Sequence, residues 1–226
     1  MKRYAVYAVP GALGSDAPEA VRLRAAAETW LAREELRDLT SHARRYGFHA
    51  TLKAPMRLAD GRTETELRAA AEAFAATHQP LSIPAPHVTT IDAFRALVPD
   101  SARHSALADL AADAVQAFDE FRAPLSQADV TRRRPDRLSP RQRELFERWG
   151  YPYVLDEFRF HMTLTDAVPA DRGAEIDAAL EAHFAQVSGI DVPLTAIAIC
   201  VEPAPGSPFE LLSAHPFALG SPRETV

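Results

Sequence analysis

Apolar and polar residues follow one another along the chain in an order that predicts helices mixed with strands. Apolar and aromatic residues dominate residues 4–9, which predicts a first strand, and a helix is predicted over 18–33. Periodic apolar positions predict further helices, over 63–78, 102–121, 140–149 and 171–186. Short extended segments are predicted at LSIPAPHVTTI, FRALVP, TAIAICVE and PFELLSAHPF.

One pentapeptide occurs twice in this pattern, as FHATL at 48–52 and as FHMTL at 160–164. Each copy is followed by a predicted helix and then by predicted strands, so the repeat extends over about fifty residues. The fold class that follows is α+β, with two similar lobes of antiparallel sheet and outer helices. A pseudo-two-fold duplication would relate residues 1–99 to residues 100–226 around a central cleft, within a single domain over 1–226.

The two motifs place histidine and threonine on the same face of a strand, because residues two apart in a strand share a face. In the first copy Arg45, His49, Thr51 and Lys53 face away from Tyr46, Phe48, Ala50 and Leu52. The second copy sets Arg159, His161, Thr163 and Thr165 against Phe158, Phe160, Met162 and Leu164. For either copy alone, a polar face turned to solvent is a sufficient explanation.

Together, two opposed histidines suit proton-transfer chemistry. A neutral imidazole accepts a proton while a protonated one donates, since histidine titrates near neutral pH. The threonine hydroxyls can donate hydrogen bonds to an oxyanion. His87-Val88-Thr89 also fits His-x-Thr, but it lacks the flanking Phe and Leu and follows a helix, so it is assigned to structure or surface. No partner pattern surrounds the remaining histidines, which are His42, His78, His104, His183 and His215.

The paired motifs resemble those of the two-histidine phosphoesterase superfamily. RYAVYAVP, RYGFHATLKAP and WGYPYVLDEFRFHMTLT are similar to the branch found in bacterial phosphonate-utilisation gene clusters. The resemblance implies metal-independent hydrolysis of a phosphodiester, commonly cyclic, with a role in phosphonate catabolism. It makes His49 and His161 the general acid and base, in an order that the sequence leaves open, and it makes Thr51 and Thr163 phosphate-binding residues.

Positive charge near the motifs has two interpretations. Arg159 and Lys53 share the polar faces and are candidate phosphate-binding residues, or they are solvated strand residues. Residues 122–150 form an arginine-rich insertion. One interpretation is a lid that binds a second phosphate or a nucleic-acid backbone, and the other is a segment whose charges are solvated at the surface. Between residues 132 and 148 the insertion contains seven arginines, Arg132, Arg133, Arg134, Arg137, Arg141, Arg143 and Arg148.

Composition and charge exclude several classes of function and indicate the compartment of the protein. The net charge of −6 and pI near 5.8 exclude a global basic field for non-specific nucleic-acid binding. Cys200 is the single cysteine, which excludes an internal disulfide and favours a reducing, cytoplasmic compartment. The sequence has no HExxH motif, so neither a metal ion nor another cofactor is expected. It has no run of eighteen apolar residues, so no membrane-spanning segment is expected.

The expected partner is a small phosphorylated substrate. An RNA end is the alternative partner, for an RNA-end processing or ligase-like enzyme. A non-catalytic protein that binds a phosphorylated ligand or RNA in the same cleft is a second alternative. The oligomeric state stays open and is compatible with a monomer.

Overall fold

The structure is a computed structural model that describes residues 1–100 and 105–218. Its strands are β1 (Arg3–Ala8), β2 (Ala50–Met56), β3 (Leu81–Ile83), β4 (His87–Ile91), β5 (Phe94–Val98), β6 (Met162–Thr163), β7 (Val192–Leu194), β8 (Ala196–Glu202) and β9 (Glu210–Pro216). Its α-helices are α1 (Pro18–Leu31), α2 (Arg37–Tyr46), α3 (Glu64–Ala76), α4 (Ser105–Ala117), α5 (Gln127–Arg133), α6 (Pro140–Trp149) and α7 (Gly173–Phe184). The start of the helix predicted over 102–121, with His104, lies outside the described residues.

The strands pair antiparallel in three sheets. One has the order β2-β1-β8-β9, a second has the order β4-β5-β6, and β3 pairs with β7. The two motif strands, β2 and β6, are therefore both edge strands of their sheets, and they contact each other. This contact joins the two sheets at the two motif strands, each of which directly follows a histidine.

A single large apolar cluster joins both halves of the chain. It combines side chains of β1, β2 and β8 with the buried faces of α1, α3, α4 and α7. Trp30 of α1 is fully buried in it, and its indole N–H donates a hydrogen bond to the Leu164 carbonyl oxygen at 3.0 Å. The second motif is thus attached to a helix of the first half.

The α+β class is confirmed, and most of the predicted elements are present. The helix predicted over 63–78 begins with a capping box, in which the Thr63 side chain accepts from the Glu66 backbone N–H. Two helices, α2 and α5, were not predicted. The internal duplication and the lobe boundaries stay predictions.

The prediction that Arg45 and Tyr46 belong to the first motif strand is wrong. Both residues lie at the end of α2, and Gly47 ends that helix with φ +71° and ψ 177°, a conformation that suits glycine. The strand itself begins at Ala50. In the second motif only Met162 and Thr163 are in a strand, because β6 pairs with β5 at Ala96 and Leu97 alone.

None of the helices in the described part of the chain has the length and apolar character that crossing a bilayer requires.

Candidate active site

His49 and His161 line the same cavity, whose volume is about 440 Å³. His49 immediately precedes β2 and His161 immediately precedes β6, so the contact between these edge strands brings the two histidines together. Thr51 and Thr163 line the same cavity. The structure thus collects the polar residues of both motifs at one place.

The same backbone contact orients both imidazoles. Nδ1 of His49 lies 2.9 Å from the Gly47 carbonyl oxygen, and Nδ1 of His161 lies 2.7 Å from the Arg159 carbonyl oxygen. A carbonyl only accepts, so in each ring Nδ1 carries the proton and Nε2 keeps its lone pair. Nε2 of His49 is 3.2 Å from the Thr51 hydroxyl oxygen.

Burial keeps both histidines neutral. Loss of solvent lowers the pKa of His49 to about 4; the hydrogen bond to Gly47 opposes this and the nearby charge of His161 adds to it. Burial also lowers the pKa of His161, and the positive charge of Arg159 lowers it further. At neutral pH each of these two rings therefore keeps a lone pair on Nε2.

Tyr7 of β1 supports His49 from one side. Its ring stacks on the imidazole, with centroids 3.8 Å apart and planes 25° apart. The side chain is 1% exposed, and its hydroxyl is buried without a hydrogen-bond partner among the described residues. Because Tyr7 lines the cavity, a ligand oxygen entering it is the natural partner for this hydroxyl.

Three arginines line the same cavity, namely Arg3, Arg45 and Arg133. Arg3 and Arg45 both form ion pairs with the fully buried Glu202. Burial alone would raise the pKa of that carboxyl, but its hydrogen bonds from Arg3 and Arg45 lower it to about 2. The guanidinium of Arg133 lies over the Tyr151 ring, 4.5 Å from its centroid.

The sequence contained a signal for two of these residues. Period-two alternation in β1 puts Arg3, Ala5 and Tyr7 on one face, and Ala5 and Tyr7 pack there apart from the main core. Arg3 and Tyr7 are the polar residues at the two ends of this face, and such a placement indicates a binding site. Arg45 was predicted on the first motif strand and Arg133 in the arginine-rich insertion, whereas they lie on the helices α2 and α5.

Lys53, a predicted phosphate-binding residue, is a buried residue of β2. Its side chain is 3% exposed, and its ammonium donates to the Val115 carbonyl oxygen at 2.9 Å and pairs with Asp119 at 2.8 Å. Burial lowers the pKa of Lys53 to about 8, although Asp119 opposes the shift. Lys53 does not line the cavity of the two histidines but lines an adjoining one, so its role in phosphate binding stays a prediction.

The other predicted cation, Arg159, is exposed and lines a neighbouring cavity that also includes His161 and Thr51. Thr165 is 1% exposed and its hydroxyl accepts from the Arg95 backbone N–H, which makes it structural. His87 is exposed on β4 and does not line the cavity of the two histidines. Nowhere in residues 1–100 and 105–218 do three or more His, Cys, Asp or Glu side chains cluster as a metal site would need.

The arginine-rich segment is mostly solvated. Arg141 pairs with Asp156 and Glu144, Arg134 pairs with Asp136, and Arg137 and Arg143 are exposed. The side chain of Arg132 lies outside the described part of the structure. Arg133 alone among the described arginines of this segment lines the histidine cavity.

Residues 51–210 match the family described as "Protein of unknown function (DUF1045)". The chain belongs to the DUF1045 family. This DUF1045 chain is 38% identical over 240 residues to the ribose 1,5-bisphosphate phosphokinase PhnN of Janthinobacterium sp. (strain Marseille), covering 96% of the chain and 51% of that protein. It spans about half the length of the curated relatives it matches. The match to proteins named PhnN agrees with the resemblance to the phosphonate gene-cluster branch.

Solved structures similar to the DUF1045 chain have low sequence identity. The TT0787 protein of Thermus thermophilus is 16% identical, with a TM-score of 0.49 and coverage of 97% of this chain and 100% of that one. Escherichia coli LigT, complexed with NADP+, is 14% identical, with a TM-score of 0.45 and coverage of 96% and 98%.

Proposed function

We propose that this DUF1045 chain hydrolyses a cyclic phosphodiester, with His49 and His161 as the general acid and base. One observation carries the proposal: two imidazoles with the same Nδ1 anchor line a single cavity with Thr51 and Thr163. A phosphorus atom between two such groups can receive a nucleophile on one side and release a leaving group on the other.

In the proposed reaction one neutral histidine takes a proton from water through Nε2. The water oxygen forms a bond to phosphorus as the bond from phosphorus to the ring oxygen breaks. The second histidine, protonated at Nε2, gives its proton to the departing oxygen, so the product is a phosphomonoester beside a free hydroxyl. Thr51 and Thr163 donate hydrogen bonds to the non-bridging oxygens, whose charge grows in the transition state.

The substrate we favour is a sugar cyclic phosphate. The curated relatives are named for ribose 1,5-bisphosphate, and this chain covers only half of their length. Opening a 1,2-cyclic phosphate of ribose 5-phosphate at the bond to O2 gives ribose 1,5-bisphosphate. The sequence lacks the GxxxxGK[ST] loop that would favour a nucleotide-dependent kinase activity in this half.

The test measures turnover of a panel of cyclic phosphodiesters in ¹⁸O-labelled water by wild-type protein that has been treated with a metal chelator. The panel contains ribose 1,2-cyclic phosphates and nucleoside 2′,3′-cyclic phosphates, and phosphorus NMR follows the products. We expect a monoester with one ¹⁸O atom and a rate that chelation leaves unchanged. Loss of the rate on chelation, restored by one metal, would overturn the metal-independent mechanism.

The same panel separates the alternatives. Binding of members without any turnover would favour a non-catalytic binding protein. Turnover restricted to oligonucleotide ends would favour RNA-end processing.

A further inference from the structure

A second cavity, of about 310 Å³, adjoins the cavity of the two histidines. The two share six lining residues: Arg3, Arg45, Ala54, Pro55, Arg133 and Tyr151. A single ligand can therefore extend from the histidines into the second space. We call this second space the basic cavity.

The basic cavity is positive in a protein that is negative overall. Six cationic side chains and two carboxylates, those of Asp129 and Glu202, line it, and a third carboxylate, Asp119, pairs with two of the cations, which leaves an excess of three positive charges. The whole chain has a net charge of −6. An excess of this sign in a concave site concentrates the field on an anionic ligand.

The carboxylates near the basic cavity are shared between cations. Arg3 and Arg45 both bind Glu202, while Lys53 and Arg122 both bind Asp119. Each trio keeps one positive charge. Arg133 forms no ion pair with a carboxylate in the described ranges, and it is held by stacking on Tyr151.

The cations that the two cavities share line the histidine cavity together with an unused donor. Tyr7 lines the histidine cavity along with Arg3, and its buried hydroxyl lacks a partner among residues 1–100 and 105–218. Arginine presents paired N–H groups that match phosphate oxygens. Arg3, Arg45 and Arg133 line the basic cavity and can supply such donors to a phosphate there, while the Tyr7 hydroxyl lies on the side of the histidine cavity.

We infer that the basic cavity is a subsite for a second phosphate group, so the substrate is a cyclic phosphodiester that also carries a terminal phosphomonoester. The inference rests on the proposed function, because it assigns the cyclic phosphate to the histidines. It names the class of substrate: a phosphorylated sugar or nucleotide with two separate phosphate groups.

The first experiment compares two substrates that differ only in that group. Ribose 1,2-cyclic phosphate is assayed with and without a 5-phosphate, at fixed ionic strength. We expect the 5-phosphate to raise kcat/KM by about 10- to 100-fold, the range that hydrogen bonds to a charged group give. Equal values for the two substrates would overturn the inference and leave the proposed hydrolysis standing.

Variants of one arginine then locate the effect. Arg133→Gln should reduce the preference for the 5-phosphate at least several-fold, and Arg133→Lys should restore part of it, since charge returns without the paired geometry. Arg137→Gln is the matched control, because Arg137 is exposed in the same segment and lines neither cavity. A preference that all three variants retain would count against the assignment.

Calorimetry decides the inference even if neither cyclic compound is hydrolysed. Ribose 1,5-bisphosphate should bind wild-type protein at least about tenfold more tightly than ribose 1-phosphate, and Arg133→Gln should lose that difference. If the affinities are equal, the subsite does not exist. Absence of turnover with a retained affinity difference would remove the proposed function and keep the subsite.

Discussion

At the scale of single residues, the same type of hydrogen bond orients both candidate catalytic histidines. In His49 and in His161, Nδ1 donates to the carbonyl oxygen of the residue two positions earlier, so each ring is fixed before a substrate arrives. Such orientation is what general acid–base catalysis requires of its groups. The two rings nevertheless differ in their neighbours, since Tyr7 stacks on His49 and Phe94 lies tilted 5.7 Å from His161.

Replacement of either histidine should abolish most of the activity. His49→Ala and His161→Ala are each expected to lower kcat/KM by about 10²- to 10⁴-fold, the contribution of a positioned proton-transfer group. Steady-state kinetics on the best cyclic substrate measure the loss. His87→Ala is the control, because His87 also belongs to a His-x-Thr triplet but is exposed on β4. Equal losses in all three variants would contradict the assignment.

The pH dependence of kcat/KM should have its maximum on the acid side of 6.5. This parameter reports the free enzyme, in which burial lowers the pKa of both histidines, that of His49 to about 4. The histidine that acts as acid must start protonated, so activity falls as the pH rises above its lowered pKa. A rate profile over pH 4–9 measures this, and a maximum above pH 7.5 would refute it.

The same shifts predict how stability changes with pH. A histidine whose pKa is lower in the folded state contributes stability above its unfolded pKa of about 6.5. As the pH falls from 6.5 towards 4, the unfolded chain binds protons that buried His49 does not, so the free energy of unfolding decreases. Urea titrations at pH 7 and 5 measure the decrease, and His49→Gln should make it smaller.

At the scale of helices and strands, one side chain of α1 holds the second motif. Trp30→Phe keeps an aromatic ring in the core but leaves the Leu164 carbonyl oxygen without its indole donor. We expect a loss of about 1–3 kcal/mol in the free energy of unfolding, the cost of an unsatisfied buried polar group. Denaturant unfolding measures it.

Trp149→Phe makes the same chemical change at a half-buried position where the indole has no hydrogen bond to the described residues. Its effect should be clearly smaller. A comparable loss in both variants would mean that ring size, and not the bond to Leu164, sets the stability.

The sequence predicted those elements that have their own local signals. The capping box at Thr63 and Glu66 and the periodic faces of α3, α6 and α7 are local, and they are confirmed. Helix α2 was missed because it is mostly polar, with only Leu39, Thr40 and Ala43 buried, so its apolar stripe is too narrow to recognise. The site was predicted where residues repeat, at the two motifs.

The rest of the site depends on contacts between distant parts of the chain. The burial of Lys53 against Asp119 joins β2 to the turn after α4, and the cations of the cavity come from β1, α2 and α5. Strand alternation placed Lys53 beside Thr51 on a polar face. It contained no information about which helix covers that face, and therefore none about whether the charge meets water or a carboxylate.

At the scale of the whole molecule, charge separates the proposed small substrate from RNA. An oligonucleotide held along residues 122–150 would make many phosphate contacts, so its affinity would fall steeply with salt, by about 0.7 log units per contact for each tenfold increase. A substrate with two phosphates should instead show a log–log slope of about −1.5 or shallower. Measurement of both between 50 and 500 mM salt is the check.

Arg143→Gln is the control for this experiment, since Arg143 is exposed on α6 and lines neither of the two cavities discussed above. It should leave the slope for the small substrate unchanged. A slope steeper than about −3 for the best ligand would favour the RNA alternative.

The place of β1 in its sheet has a consequence for biosynthesis. β1 lies between β2 and β8, and Tyr4 pairs with Val201. Until the ribosome has translated β8, β1 can pair only with β2. The other edge of β1 then has unpaired backbone N–H and C=O groups, to which another extended peptide can bind. Nascent chains should therefore need a chaperone until β8 has emerged, and Tyr7 can take up its position against His49 in a finished sheet only then.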